Sequence, residues 1–307
     1  MRVNRFDLRT VVRQFWDSFA GRCLGALLRA QVLDRAMALS AQAFTALIPL
    51  LILIGSLAPA GREDVVAVAL IRRFRLTADA AAAVRAVFST PGGPSVGILS
   101  VVLLVVSGVS FTRRLQRTYV EAWGLPRTRG VRNSVNALLG LAALLADVVL
   151  LSMARTLAAA LPSGWLLGAP LSAAAALLLW TSVPWLLLDR RIPWQRLLPT
   201  GVLTTAGTAG YGAATVVYMP DLVASYSVRY GLFGVTLALV GWLLSIALIV
   251  CSAAVIAVEF DRAPERWARR LRNGLGTTAV PGGQPDPGLT APDAGAERQR
   301  SGSRAAR

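Results

Sequence analysis

Asp147 is the one carboxylate set deep inside an apolar run of this chain. If the run from Val135 to Leu161 is helical, Asp147 lies roughly 18 Å along it, near the middle of a bilayer. An ionised carboxylate there costs roughly 2.5–3.5 kcal/mol or more, so it must face protein or water, or take up a proton. Arg155 follows eight residues later, roughly 80° further round a straight helix, too far round to pair with it directly. It is expected to snorkel to the outer headgroups. Other apolar runs carry neutral polar groups: Gln42 and Thr45 in one, Thr204, Thr205, Thr208 and Tyr211 in another. Together with Asp147 these outline an intramembrane polar pathway for a proton, a cation or a polar substrate. The competing reading makes Asp147 a buried, hydrogen-bonded structural residue, and the residues alone leave both open.

Other chemistry is harder to build. The chain has no His, no Lys and two Cys, Cys23 in the charged N-terminal segment and Cys251 in the last apolar run. That removes the usual zinc ligands and the usual general base of a hydrolase triad. It also removes the lysine of a glycine-rich phosphate loop. No catalytic residue, metal or cofactor is therefore assigned, and the expectation is that the protein is not an enzyme. The cysteines should lie at different depths and should not pair.

The elements that must position these groups follow from composition. The chain is 55% hydrophobic and only 16% charged, against about a quarter charged in a soluble domain, and its mean hydropathy is +0.56. A bilayer core about 30 Å thick needs roughly 20 apolar residues per helix. Six runs approach that length: 36–58, 95–111, 135–161, 165–188, 197–219 and 232–258. The expected fold class is all-α, a polytopic bundle of six transmembrane helices occupying 36–261. Pro162-Ser163-Gly164 reads as a tight turn, and Pro49 and Pro184 as kinks within spans.

Charge orients the bundle. All 32 basic residues are Arg, against 16 acidic ones, for a net +16. Twenty-five fall in the segments 1–35, 112–134, 189–196 and the tail after 261, and six in the alternate connections. Positive residues are retained in the cytoplasm during insertion, so both termini are expected there, in a multi-pass protein of the cell membrane. No short apolar stretch with a small-residue cleavage site precedes the first run, and a signal peptide is not expected. The placing of Arg at the ends of apolar runs points to anionic membrane lipids as partners, and to no nucleic acid. A homo-oligomer is compatible with this reading.

The connection 61–94 keeps helical spacing and reads as an external amphipathic segment, either a hairpin capping the bundle or a helix in the outer interface. Residues 262–307 form a cytoplasmic tail, rich after Gly274 in Gly, Pro, Asp and Arg, and expected to be mostly disordered. In the fifth run, Ala206, Gly210 and Ala214 make a small-residue ladder at i, i+4 and i+8. Such ladders serve helix packing, with a lined cavity as the alternative.

Residues Arg35 to Leu50, RAMALSAQAFTALIPL, resemble the opening signature of the YihY/virulence factor BrkB family of bacterial inner-membrane proteins. The resemblance continues in RRLQRTYVEAWGLP, Arg113 to Pro126, and in RYGLFGVTLALVGW, Arg229 to Trp242. It implies six spans with a long first external connection. It also implies a polar patch of Gly-Ala-Glu-x-Asn type in the last helix, where this chain has CSAAVIAVE from Cys251 to Glu259. The ribonuclease name borne by some members finds no supporting residues here. The function expected is a transporter, or a lipid- or amphiphile-handling protein of the cell envelope, with an unknown transported substrate. The alternative is a non-transporting envelope scaffold.

Overall fold

Long apolar runs have one way to satisfy every backbone N–H and C=O without water, and that is the helix. The computed structural model describes residues 13–14, 16–57, 68, 71, 94–126, 131–160, 164–230 and 232–274. Among them every element is helical and no strand occurs. The chain divides into two units, 1–264 and 265–307. The first holds α1 (Phe19–Arg29), α2 (Val32–Leu57), α3 (Pro94–Ala122), α4 (Val131–Ala160), α5 (Gly164–Leu187), α6 (Trp194–Tyr230) and α7 (Leu232–Arg262). The second holds α8 (Arg266–Gly274), where Arg266, Arg269, Arg270 and Arg272 fall within nine residues.

The six long helices, α2 to α7, coincide with the six apolar runs, and α2 and α5 continue unbroken through Pro49 and Pro184. Two of them reach further than hydropathy indicates. Residues 112–122, expected to belong to a loop, are the last three turns of α3, and α6 continues eleven residues past Met219 to Tyr230. The first extension is rich in Arg, Gln, Glu, Leu and Ala, which favour helix; the second, which opens on Pro220 and Asp221, is not. Of the connection 61–94, only Val68, Ile71 and Pro94 fall among the described residues, as does none of 275–307. The Pro162-Ser163 turn lies outside them as well.

Each long helix packs on its neighbours in sequence, and α7 returns to pack on α2, so the six form a closed circuit. Glycines mark the seams. A Cβ built on Gly108, Gly140, Gly201 or Gly207 would collide with or press on Leu141, Leu187, Thr181 or Ile249 of the adjacent helix. Small residues of this kind let helix axes approach closely. The main buried core lies toward one end of the circuit. It joins Ala36 and Leu39 of α2, Leu115 and Tyr119 of α3, Val183 and Leu187 of α5, Leu197 of α6, and Cys251, Ala254 and Val258 of α7.

Outside that core the first unit turns large aliphatic side chains outward: Ile98, Val102 and Val106 on α3, Val149 and Met153 on α4, and Val216 and Val217 on α6. Val217 is 77% exposed. A water-soluble monomer rarely carries contiguous apolar patches of more than a few hundred Å². Among the described residues, Pro170–Leu187 and Thr236–Arg262 are long and apolar enough to cross a membrane.

Two turns at the core end are fixed by local geometry. α3 stops at a left-handed Gly124, φ 65°, where Leu125 N–H donates to Val120 C=O at 2.9 Å and Gly124 N–H to Glu121 C=O at 3.2 Å. Those two bonds are the Schellman pattern, with Pro126 following as a stop. Between α5 and α6, Asp189 and Arg190 take φ of 58° and 57°. The Arg190 guanidinium lies 4.8 Å over the Trp185 ring, and Arg191 Nη1 donates to Pro126 C=O at 3.2 Å, joining the two turns.

Candidate functional site

The residues of the expected polar pathway divide between helices that do not meet as that reading requires. Gln42 and Thr45 are on α2 and the four α6 residues are on α6; both helices pack on α7 rather than substantially on each other. Asp147 and Arg155 are on α4, and their side chains lie outside the described residues. Thr45 is exposed and donates to its own helix at Ala41 C=O, 2.9 Å away. On α6, Thr208 donates to Thr204 C=O at 2.7 Å, and the Tyr218 hydroxyl donates to that of Tyr211 at 2.8 Å. The hydroxyls of Thr200, Thr204 and Thr205 are buried with no hydrogen-bond partner among the described residues. Ala206, Gly210 and Ala214 all face outward, and a Cβ on Gly210 would meet nothing within 4 Å. Within the chain, the close approaches of α6 fall instead at Gly201 and Gly207.

What the structure does bring together is a polar seam between α2 and the end of α3. Arg114, Arg117, Thr118 and Glu121 recur at i, i+3, i+4 and i+7, a spacing that puts them on one face of a helix. On α2, Arg35 and Gln42 are seven residues apart, again on one face. The two helices run antiparallel here, with Arg35 Nη2 2.7 Å from Glu121 Oε2 and Arg114 Nε donating to Gln42 Oε1 at 3.1 Å. Arg35, Arg114, Arg117, Thr118 and Glu121 line a cavity of 160 Å³.

The neighbouring residues of α3 hold this face in place. Gln116, 3% exposed, donates from Nε2 to Leu187 C=O of α5 at 2.9 Å. Thr112, fully buried, shares its hydroxyl proton between Gly108 C=O at 3.0 Å and Ala137 C=O of α4 at 2.9 Å. Arg113 Nη2 donates to Ser134 Oγ at 2.9 Å. The stretch RRLQRTYVEAW is thus a hub bonded to α2, α4 and α5 at once. Buried hydrogen bonds of this sort cost roughly 1–3 kcal/mol when one partner is lost, which fixes the direction in which Arg114 and Arg117 leave the helix.

Charge balance in the cleft is uneven: three guanidinium groups line it against one carboxylate. Glu121 engages Arg35, and Gln42 occupies only the Nε of Arg114. Arg117 is exposed and has neither a carboxylate nor a carbonyl partner among the described residues. A pocket so arranged attracts an anion, and its forked donors fit a planar carboxylate or a phosphate. Of the residues of this seam, the sequence assigns a role to Gln42 alone, in the polar pathway, and none to Arg35, Arg114, Arg117, Thr118 or Glu121. The recurrence of Arg114, Arg117 and Glu121 on one helical face was the available signal.

The family model described as Virulence factor BrkB matches residues 23–273, from within α1 to the end of α8. The chain belongs to this family. No curated relative and no solved structure matches it. The BrkB match takes in both the exposed aliphatic belt and the α2–α3 seam. Membership and the apolar helices together make this a membrane protein. Two of the three stretches that resemble the family, from Arg35 and from Arg113, are those that build the arginine-lined cleft, so the BrkB likeness and the charge cluster coincide.

Proposed function

We propose that this BrkB-family protein crosses the inner membrane six times, with both termini in the cytoplasm, and handles or transports an anionic or amphiphilic substrate of the cell envelope. The observation that carries the reading is the arginine-lined cleft beside an outward-facing aliphatic belt: one attracts negative charge, the other sits in lipid. Six helices of 24 to 37 residues are each long enough for a core about 30 Å thick. The arginine asymmetry supports the orientation, and it puts the core end of the circuit, with the cleft, on the cytoplasmic side. In this reading no residue is assigned to catalysis, and movement is passive, ion-coupled or driven by a partner.

Reconstitution into sealed liposomes tests this. Fluorescent anionic amphiphiles placed in one leaflet should cross faster in vesicles holding the protein than in protein-free vesicles, followed by quenching from outside. Identical rates across a panel of anionic, zwitterionic and neutral probes would overturn the transport reading and leave the envelope scaffold.

A further inference from the structure

The geometry points to the α2–α3 cleft as a binding site for a single phosphate group, gripped by Arg114 and Arg117, with Glu121 as a built-in competitor for Arg35. The inference deepens the membrane reading above and rests on it for the depth of the site.

Consider first which donors are available. Arg114 spends its Nε on Gln42, which orients the guanidinium and leaves both terminal nitrogens without a partner among the described residues. Arg117, one turn along the same face, has no partner there either. Two forks on one side of a cavity suit a tetrahedral oxyanion better than a carboxylate, because a phosphate offers oxygens in more than one plane. Every positive group of the cleft is Arg, the side chain whose charge is held at all physiological pH and whose fork fits phosphate with two donors.

Depth agrees with a headgroup. Arg114 and Arg117 stand three and six residues beyond Phe111, the last residue of the second apolar run, which is roughly 4.5 and 9 Å of helical rise. The polar layer on each side of a bilayer is about 5–8 Å thick. Arg114 therefore lies within the headgroup layer and Arg117 at its outer edge, where the cleft also opens to phosphate dissolved in the cytoplasm.

Glu121 supplies the release. It holds Arg35 at 2.7 Å with the two side chains 28% and 32% exposed. An incoming phosphate competes with that carboxylate for the same guanidinium. Such a pair keeps the empty site ordered and makes binding an exchange of one anion for another, so affinity stays moderate and the ligand can leave.

Full-length protein in a neutral detergent is titrated with dihexanoyl-phosphatidylglycerol and, separately, with inorganic phosphate, by calorimetry. Arg117→Ala should weaken binding at least tenfold, and Glu121→Gln should tighten it several-fold. Arg29→Ala, which removes a cation of α1 bonded to Gly25 C=O and outside the cleft, should change affinity less than twofold. Thermal unfolding of each variant reports folding; if Arg117→Ala is unstable, Arg117→Gln replaces it. Tighter binding of the lipid than of phosphate assigns the site to headgroups, and equal binding assigns it to the free anion. Equal losses in the Arg29 and Arg117 variants, or weaker binding in Glu121→Gln, would overturn the site. Absence of lipid movement with these binding effects intact refutes transport alone, whereas flux with no Arg117-dependent binding refutes the cleft alone.

Discussion

Gly201 on α6 sits where Thr181 of α5 leaves no room for a side chain. A Cβ built there would overlap Thr181 Oγ1 and lie 3.3 Å from both Thr181 Cβ and Leu177 Cδ1. Thr181 is fully buried, and its hydroxyl donates to Leu177 C=O at 2.7 Å, so it cannot rotate away without breaking that bond. Overpacking a close interface costs about 1–3 kcal/mol, and the displaced hydrogen bond adds about 1 kcal/mol. Gly201→Ala should therefore destabilise the bundle by about 2–4 kcal/mol. Thr181→Ala alone should cost about 1 kcal/mol, since the lost bond lies within one helix. The double variant should be more stable than Gly201→Ala, because the overlapping oxygen is gone, with a coupling of about 1–2 kcal/mol. Reversible unfolding in mixed micelles by titration with a denaturing detergent, followed by circular dichroism, measures all three. If Gly201→Ala is within about 0.5 kcal/mol of the parent, or the two changes simply add, the α5–α6 packing described above is wrong.

Further measurements address other parts of the architecture. Gly124→Ala meets no obstruction, since the nearest atom to the new Cβ is Arg262 Nη2 at 3.8 Å; the same titration should show only the backbone cost at positive φ, about 1–2 kcal/mol, and no loss would contradict the left-handed stop of α3. Reporter fusions after Arg129, Arg191 and Arg270 should read as cytoplasmic and one after Thr90 as external; an external signal after Arg129 would remove the six-span topology.

Much of the fold was legible because a bilayer converts length directly into pattern: each run of roughly 20 apolar residues became one helix. What hydropathy could not reveal is where helices continue beyond lipid. Arg113, Gln116, Arg117 and Glu121 look like loop residues to a hydropathy scale, yet they are good helix formers and make the last turns of α3 the hub of the circuit. The cleft was missed for a related reason. Its halves are brought together by a hydrogen bond between residues 72 apart, Arg114 and Gln42, and no local spacing encodes that meeting. Gln42 was noticed as a polar residue in a span, but its partner proved to be an arginine of α3 rather than the threonines of α6. The polar groups of α6, joined in the expected pathway with those of α2, would need a contact that the circuit order does not provide.

The closing of the circuit by α7 has a consequence for biogenesis. Val32 and Leu232, the first residues of α2 and α7, are 200 positions apart, and ribosomes add about 5–20 residues per second. In the proposed six-span topology helix α2 thus waits roughly 10–40 s in the membrane for the partner that covers it. Through that interval the faces of Ala36, Leu39 and Tyr119, which end up buried beside α7, need lipid or an insertion factor to cover them. A nascent chain stalled or cut before α7 is then no smaller version of the protein but an open arc, and a natural target for membrane quality-control proteases.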